Sequence, residues 1–248
     1  DIARVVSEID GIDTLALTTN GYRLRDKAHE WRAAGINAIN ISLDSFDDEN
    51  FHRITGHNRC GEVLEGIDAA IDAGFDRVKI NAVYLKGLND HELDQYLDYA
   101  RRKSVSVRFI ELMETGDHPG YFERHHKSTS HIADQLVAEG WTPKIKAVTD
   151  GPAQEFLHPG YKGSIGLIAP YSKDFCKSCN RLRFSSQGKL HTCLFGDFGF
   201  PLRKFLQEDT QIQELKDRIV MAVAGKTARH RLDEHHTGDT HNLAAIGG

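Results

Sequence analysis

The feature that most constrains the fold of this chain is an alternation of strand-like and helix-like segments in its first half. Segments rich in β-branched and aromatic residues favour strands, and apolar residues at three- and four-residue spacing favour helices. Strand, helix and strand in succession form βαβ units, which place parallel strands side by side. The pattern therefore predicts an α/β fold with a parallel sheet or barrel. The strand-like runs are TLALTTN (14–20), AINISLD (38–44), RVKINAV (77–83) and SVRFIEL (106–112).

Helical patterns fill the intervals between these runs. Val63 and Ile67 belong to one apolar stripe, which Gly74 closes in the way that glycine commonly ends helices. Asn89 and Glu92 stand three residues apart before another stripe, which is the spacing of a capping box at a helix start. The second half predicts a helix over 130–140, antiparallel strands near 145–149, 154–158 and 164–168, and a last helix over 211–224.

Polar side chains stand at or near the carboxyl ends of the four strand-like runs, where parallel sheets bind their ligands. Most of them fit an ordinary strand or turn as well as a ligand site. Lys79 and Arg108 differ, because a cation within an apolar parallel strand is costly to bury without a partner. Glu111 either orients a ligand hydroxyl or forms an ion pair with Arg108 or another neighbour. The candidate residues are Thr18, Thr19, Asn20, Ser42, Asp44, Lys79, Asn81, Arg108 and Glu111.

The composition excludes several classes of partner. Forty per cent of the residues are hydrophobic, which is enough for a folded core. The formal net charge is −5, so we expect neither nucleic acid nor an anionic membrane as a partner, and local cations must hold any anionic ligand. The sequence shows no membrane-spanning run and no signal peptide, and its four cysteines do not resemble a secreted disulfide framework. We therefore expect a cytoplasmic protein.

Three of the four cysteines lie in the segment FCKSCNRLRFSSQGKLHTC (175–193). Cys176 and Cys179 form a Cys-x2-Cys motif, and Cys193 follows fourteen residues later. The intervening residues alternate, turn at Gly188 and alternate again, which predicts a β-hairpin that carries Cys193 beside the first two cysteines. The motif therefore indicates a metal site.

Two kinds of metal site fit this motif. In a closed Cys3His zinc site, His191 on the same predicted strand as Cys193 is the fourth ligand, and structural zinc sites of this kind are common. In an iron–sulfur site, three cysteines leave one iron open for another ligand. Arg181 and Arg183 share a face of the predicted hairpin, and their guanidinium groups suit phosphate, which favours the iron–sulfur alternative.

Several longer stretches of the chain occur together in one known family. LTTNG, INISLDSF, VKINAVYLKGLND and RFIELMETG are similar to successive barrel strands, FCKSCNRLRFSSQGKLHTCLF to a carboxyl-terminal cluster motif, and the final IGG to a terminal pair of glycines. The family that they resemble is the radical S-adenosylmethionine GTP 3′,8-cyclases of molybdenum cofactor biosynthesis. The resemblance covers essentially the whole chain.

The resemblance implies an α/β fold with an incomplete TIM-type radical S-adenosylmethionine barrel. Residues 1–116 would hold its last four strands, and residues 117–248 would form a carboxyl-terminal α+β region with an auxiliary 4Fe-4S cluster, a GTP site and the double-glycine tail. The family's Cys-x3-Cys-x2-Cys motif for an amino-terminal cluster is absent from this sequence. We therefore expect a fragment that is inactive alone, with a second 4Fe-4S cluster in the missing amino-terminal part.

The resemblance also implies the site residues. Cys176, Cys179 and Cys193 would bind the auxiliary cluster, and the guanine of GTP would occupy its open iron. Ser42 and Met113 would contact S-adenosylmethionine. The implied catalytic residues are Arg181, Arg183, Gly247 and Gly248, and the implied GTP contacts are Thr18, Lys79, Arg108, Arg181, Leu182 and Arg183.

The reaction implied by the resemblance is that of a lyase, which converts GTP to (8S)-3′,8-cyclo-7,8-dihydroguanosine 5′-triphosphate. A 5′-deoxyadenosyl radical takes hydrogen from the ribose C3′, and the C3′ radical attacks C8 of the purine. The implied partners are GTP, a second copy of the chain in a homodimer and, functionally, cyclic pyranopterin monophosphate synthase. Two alternatives stay open: a non-catalytic zinc module that binds a nucleotide, and another radical S-adenosylmethionine enzyme with an auxiliary cluster.

Overall fold

Contacts divide the computed structural model of the chain into two compact units. The first, which we call the sheet unit, consists of Asp1–Leu112 and His125–Ala169. The second, which we call the cysteine unit, consists of Met113–Arg124 and the described residues from Pro170 onward. The structure describes residues 1–116, 118, 120–147, 150–177 and 179–238.

The strands of the sheet unit are β1 (Ala16–Thr19), β2 (Ala38–Ser42), β3 (Arg77–Tyr84), β4 (Ser106–Glu111), β5 (Thr142–Pro143), β6 (Gln154–Leu157) and β7 (Ser164–Ile168). They form one sheet in the order β1-β2-β3-β4-β7-β6-β5. Neighbouring strands from β1 to β7 in this order are parallel, whereas β6 pairs antiparallel with both β7 and β5. Each of the four strand-like runs forms a strand, and the predicted α/β class with a parallel sheet is confirmed.

Strand β7 has one neighbour that was predicted and one that was not. It lies parallel to β4 on one side and antiparallel to β6 on the other. The short connection from β6 makes the antiparallel pairing predictable, whereas the pairing with β4 joins segments that are distant in sequence. Residues 125–169 consequently belong to the sheet unit, so the compact units do not follow the predicted boundary between 116 and 117. Of the strand predicted near 145–149, residues 148 and 149 lie outside the described residues, and 145–147 form no strand.

Helices pack against one face of the sheet and complete its core. Ile39, Ile41 and Ile80 of the strands are fully buried together with the helical residues Ile67 and Leu136. Side chains alternate between the faces of a strand, so the residues between these isoleucines lie on the opposite face. In chain order, the helices before β7 are α1 (Ile2–Ser7), α2 (Leu24–Ala33), α3 (Asp48–Thr55), α4 (Cys60–Asp72), α5 (Leu93–Arg102), α6 (Tyr121–His125) and α7 (Ser130–Ala138).

Asn89 and Glu92 do not form the predicted capping box. Helix α5 begins at Leu93, and no side chain caps its first turn. The carboxylate of Glu92 is fully buried and accepts hydrogen bonds from the Ser45 Oγ at 2.7 Å and from the Phe46 amide at 2.9 Å. Because a buried carboxylate needs such donors, its tertiary partners after β2 prevail over the local cap.

The cysteine unit is built on a small antiparallel sheet. Its strands are β8 (Arg183–Phe184), β9 (Lys189–His191) and β10 (Phe200–Pro201), and β9 is the central one. The predicted hairpin is confirmed, because β8 and β9 pair antiparallel across the turn that contains Gly188 at φ +77°. Helix α8 (Ile212–Ala224) matches the predicted last helix. The core residues of this unit are Leu190, Leu202, Phe205 and Ala222.

No helix in the described ranges of either unit combines the length and the apolar composition that crossing a lipid bilayer requires.

Helix α4 packs closely against the turn after β1 at Gly66. A Cβ atom at this position would lie 2.8 Å from the carbonyl oxygen of Gly21 and 3.0 Å from the Cβ of Leu24. Gly21 adopts φ +85°, and its carbonyl accepts the amide of Leu24 at the start of α2. Gly61, on the same helix, has no atom within 4 Å of such a Cβ. The close approach of α4 to the β1–α2 turn therefore requires glycine at position 66 but not at position 61.

We expect Gly66→Ala to lower the free energy of unfolding by about 1–3 kcal/mol relative to Gly61→Ala. Both substitutions gain the same helix propensity, but only the first forces a methyl group against backbone. Urea denaturation followed by far-UV circular dichroism measures the difference. Equal stabilities of the two variants would show that α4 can move away from the turn without cost.

Candidate functional site

Two rows of polar residues cross one face of the sheet. Residues that are register partners on neighbouring strands point to the same face, as do residues two apart on one strand. Predicted residues Thr18 and Lys79 lie in the first row, and predicted residues Ser42 and Arg108 lie in the second. The first row is Thr18, Asn40, Lys79, Ser106 and Ser164, and the second row is Ser42, Asn81, Arg108, Gly166 and Glu155.

Arg108 reaches Glu155 across the strand that separates them. Both residues are register partners of Gly166 on β7, which has no side chain to stand between them. The Nη2 of Arg108 donates to the Glu155 Oε1 at 2.8 Å, and a Cβ on Gly166 would lie 3.1 Å from the Arg108 Cγ. Although burial raises the pKa of Glu155, the hydrogen bond and charge of Arg108 and the charge of Lys144 hold it below its usual value.

The second row also holds two buried polar atoms that lack a partner. The Nε of Arg108 and the Oδ1 of Asn81 are buried, and neither makes a hydrogen bond within the described residues. Arg108 and Asn81 are register partners, so these atoms belong to neighbouring positions. Buried polar groups are normally satisfied, and unsatisfied ones call for an explanation such as a ligand. Asn81 was only one of several polar strand residues in the sequence; its register with Arg108 is what distinguishes it.

Lys79 is a half-buried cation beside Arg108. Burial lowers the pKa of Lys79 to about 8, and the positive charges of Arg108 and Arg77 act in the same direction. Glu155 and Asp150 oppose this shift through their negative charges. An anionic ligand on this face would favour the charged form of Lys79, because it would offset the neighbouring cations.

In the cysteine unit, a backbone hydrogen bond joins the two cysteines of the Cys-x2-Cys motif. The amide of Cys179 donates to the carbonyl of Cys176 at 3.1 Å, and both thiols, like that of Cys193, are free and half-buried. Although burial raises the pKa of Cys179, hydrogen bonds from Arg181 and the charges of Arg181 and Lys226 outweigh it and lower this pKa. The unit therefore surrounds one of its thiols with groups that favour a thiolate.

Arg181 and Arg183 lie among the cysteines. The residues from 181 to 184 alternate between half-buried and exposed, so the two arginines share a face while Leu182 is exposed. Burial and the charge of Arg181 lower the pKa of Arg183, and the negative charges of the Cys179 and Cys193 thiolates would oppose this shift. The Nε of Arg183 is buried and has no hydrogen-bond partner in the described residues.

Comparison with known proteins gives whole-chain matches. A family model described as Molybdenum Cofactor Synthesis C matches residues 105–232, and one described as Radical SAM superfamily matches residues 1–100. The chain is 53% identical over 247 residues to GTP 3′,8-cyclase of Aeromonas hydrophila, 52% over 248 to that of Vibrio atlanticus and 50% over 247 to that of Tolumonas auensis. These alignments cover 100% of this chain and 72%, 74% and 74% of the relatives.

The chain belongs to the GTP 3′,8-cyclase family. The resemblance inferred from the motifs is therefore confirmed. Membership in this radical S-adenosylmethionine family implies 4Fe-4S clusters and S-adenosylmethionine as cofactors in general.

In the described part of the chain, no group of three or more His, Cys, Asp or Glu side chains is close enough to hold one metal ion. The prediction that His191 and Cys193 share a strand is wrong, because β9 ends at His191. Iron–sulfur clusters are held by cysteine thiolates, and the three thiols of this segment are free and half-buried.

The remaining predicted residues of the cyclase site lie at different places. Met113 is half-buried and begins the cysteine unit directly after Leu112. Gly247 and Gly248 lie outside the described residues. Glu111 does not form the predicted ion pair with Arg108: it points away from Arg108, is buried, and accepts hydrogen bonds from the Thr129 amide at 2.7 Å and the Ser128 Oγ at 3.1 Å. The odd spacing of Glu111 from Arg108 places it on the core face.

Asp44 joins the ends of two strands through hydrogen bonds. Its Oδ1 accepts the amide of Val83 at 2.8 Å, and its carbonyl accepts the Nδ2 of Asn89 at 2.6 Å. Burial raises the pKa of Asp44 to about 6, and the hydrogen bond from Val83 only partly opposes this. The ends of β2 and β3 are thus joined by a carboxyl group that is costly to ionise.

We expect Asp44→Asn to be more stable than the wild type above about pH 6, with a gap that closes towards about pH 4. The folded chain binds the Asp44 proton more tightly than the unfolded chain does, so the wild type loses stability as the pH rises from the unfolded pKa of about 4 to the folded pKa of about 6. The amide oxygen of asparagine still accepts the Val83 amide. Thermal unfolding across this pH range measures the gap, with Asp94→Asn on the exposed surface of α5 as the control. A gap that does not change with pH would contradict the expectation.

Proposed function

We propose that this chain carries the substrate-binding and auxiliary-cluster part of GTP 3′,8-cyclase, a radical S-adenosylmethionine lyase of molybdenum cofactor biosynthesis. The observation that carries the proposal is the cysteine segment, in which Arg181 and Arg183 accompany three free thiols. This segment belongs to a chain with 53% and 52% sequence identity to two GTP 3′,8-cyclases. S-adenosylmethionine supplies the radical chemistry when bound, and a 4Fe-4S cluster supplies an iron with one open position. The residues of this chain hold, orient and enclose these groups.

We assign the auxiliary cluster to Cys176, Cys179 and Cys193. The proposal is supported by the lowered pKa of Cys179 and by the cations around it, because iron–sulfur ligands are thiolates and a cluster with three thiolates is anionic. Although burial lowers the pKa of Arg183, the charges of Cys179 and Cys193 act to raise it, and the cation of Arg183 would offset the charge of the cluster. Its unpartnered Nε remains available to a bound anion.

We assign contacts with GTP to two groups of residues, each considered within its own unit. In the cysteine unit, the guanidinium groups of Arg181 and Arg183 suit phosphate oxygens, and the exposed Leu182 between them offers an apolar contact. In the sheet unit, Lys79 and Arg108 provide two neighbouring cations, and Thr18 provides a hydroxyl in the same row as Lys79. Strands of the sheet unit hold Thr18, Lys79 and Arg108 in place, which is what orientation of a reacting nucleotide requires.

We assign Ser42 and Met113 to S-adenosylmethionine, and we propose that Gly247 and Gly248 act in the active site together with Arg181 and Arg183. Ser42 supports this assignment by its place in the second polar row, beside the unpartnered oxygen of Asn81. For the fold we propose an incomplete TIM-type barrel, in which the parallel strands turn their polar rows inward and their helices outward. We also propose a cytoplasmic homodimer that is functionally coupled to cyclic pyranopterin monophosphate synthase.

We expect the chain, reconstituted with iron and sulfide without oxygen, to be brown and to hold about four iron and four sulfide. Cys179→Ala removes a ligand and should lose the visible absorption and most of the iron. Cys60→Ala is the matched control, because Cys60 is buried in the sheet unit and should leave the cluster unchanged. Iron and sulfide analysis with visible spectroscopy measures both. A colourless wild-type chain with one bound zinc would reject the cyclase assignment in favour of a zinc module.

We expect Arg181→Ala and Arg183→Ala each to weaken GTP binding by the cluster-loaded chain about tenfold or more, because charge-assisted hydrogen bonds contribute about 1.5–3 kcal/mol. Arg218→Ala, which removes an exposed arginine from α8, is the matched control. Isothermal titration calorimetry measures the affinities. Wild-type affinity in both cysteine-unit variants would refute their role in holding phosphate.

A further inference from the structure

A lysine outside the cysteine segment makes three contacts with it. The ammonium of Lys226 donates to the carbonyl of Cys179 at 2.9 Å and to the carbonyl of Arg181 at 3.1 Å, and it lies 3.7 Å from the Cys179 Sγ. An ammonium has three donors, so these contacts use its full capacity. Lys226 is therefore committed to the protein and not free for a ligand.

Lys226 is held in place by the end of helix α8. Its amide donates to the carbonyl of Val223 at 3.0 Å, and the preceding amide of Gly225 donates to the carbonyl of Met221 at 3.1 Å. Ala222 in the same turn is buried in the core with Leu190 of β9. Helix α8, which ends just before Lys226, thus packs on the small sheet that includes the cysteine hairpin.

The arginines of the segment differ from Lys226 in how their donors are used. Arg181 places its guanidinium 5.3 Å from the centre of the Phe175 ring, and Arg183 keeps a buried Nε without a partner. These two side chains retain donors for a bound anion. Lys226 instead fixes the backbone from Cys179 to Arg181, which leads directly into the Arg181–Arg183 stretch.

We propose that Lys226 is a positioning residue for the auxiliary cluster, which fixes the Cys179–Arg181 backbone and raises the reduction potential of the cluster by placing a positive charge beside one ligand sulfur. The inference rests on the proposed function, because it requires that Cys179 bind the cluster. Groups outside the ligand shell orient metal ligands, and net charge and hydrogen bonds to sulfur set cluster potentials. Reduction adds an electron to the cluster, so a neighbouring cation stabilises the reduced state more than the oxidised state.

Lys226→Met keeps the length of the side chain and removes its charge and donors. We expect this variant to bind the cluster with a more negative midpoint potential and to lose iron to a chelator about tenfold faster than the wild type. Lys226→Arg keeps the charge and should restore the potential. Lys216→Met, at an exposed position of α8, is the matched control and should behave as the wild type in both measurements.

The test uses the whole chain, reconstituted without oxygen, and compares iron content, midpoint potential from an EPR-monitored redox titration and the rate of iron transfer to a chelator. Wild-type potential and chelation rate in a fully loaded Lys226→Met variant would overturn this inference alone. A wild-type chain that takes up no cluster would overturn it together with the proposed function. If Lys226→Met does not fold, Lys226→Gln replaces it, and equal potentials for the glutamine and arginine variants would equally overturn the inference.

Discussion

Hydrogen bonding in register between parallel strands places every second residue of β1, β2, β3, β4 and β7 on the same face of the sheet. One set of positions is apolar and packs against the helices, and the other set is polar and forms the two rows that include Lys79 and Arg108. A shift of one residue in any pairing would bury these cations and expose the isoleucines. The core and the candidate site are therefore fixed by the same pairing, and neither can change without the other.

Charge balance on the polar face depends on a residue without a side chain. Gly166 allows Arg108 and Glu155 to meet across β7, and Glu155 in turn partly offsets the positive charge around Lys79. Ion pairs between partly buried groups are sensitive to the loss of either partner. In the cysteine unit the balance is different, because Arg181, Arg183 and Lys226 surround sulfur and not carboxylate.

Residue patterns predicted the first four strands, the hairpin and α8, because each depends on local periodicity or turn chemistry. They also singled out Lys79 and Arg108, since a cation in an apolar strand is unusual. They missed Glu155 and Lys226. The contacts of these residues with Arg108 and Cys179, each 47 positions away, depend on strand order and helix packing. The same limit explains why the pairing of β7 with β4 was not predicted and why Asn89 and Glu92 do not form a capping box before α5. In both places tertiary contacts prevail over local preference.

The path of the chain between the two compact units has a consequence for how such a protein can be divided. The chain passes from one unit to the other after Leu112, after Arg124 and after Ala169. No single cut of the backbone therefore yields both units whole, since a break after Ala169 leaves Met113–Arg124 attached to the wrong portion. A fission of the gene at any single point would therefore separate residues that belong to the same unit.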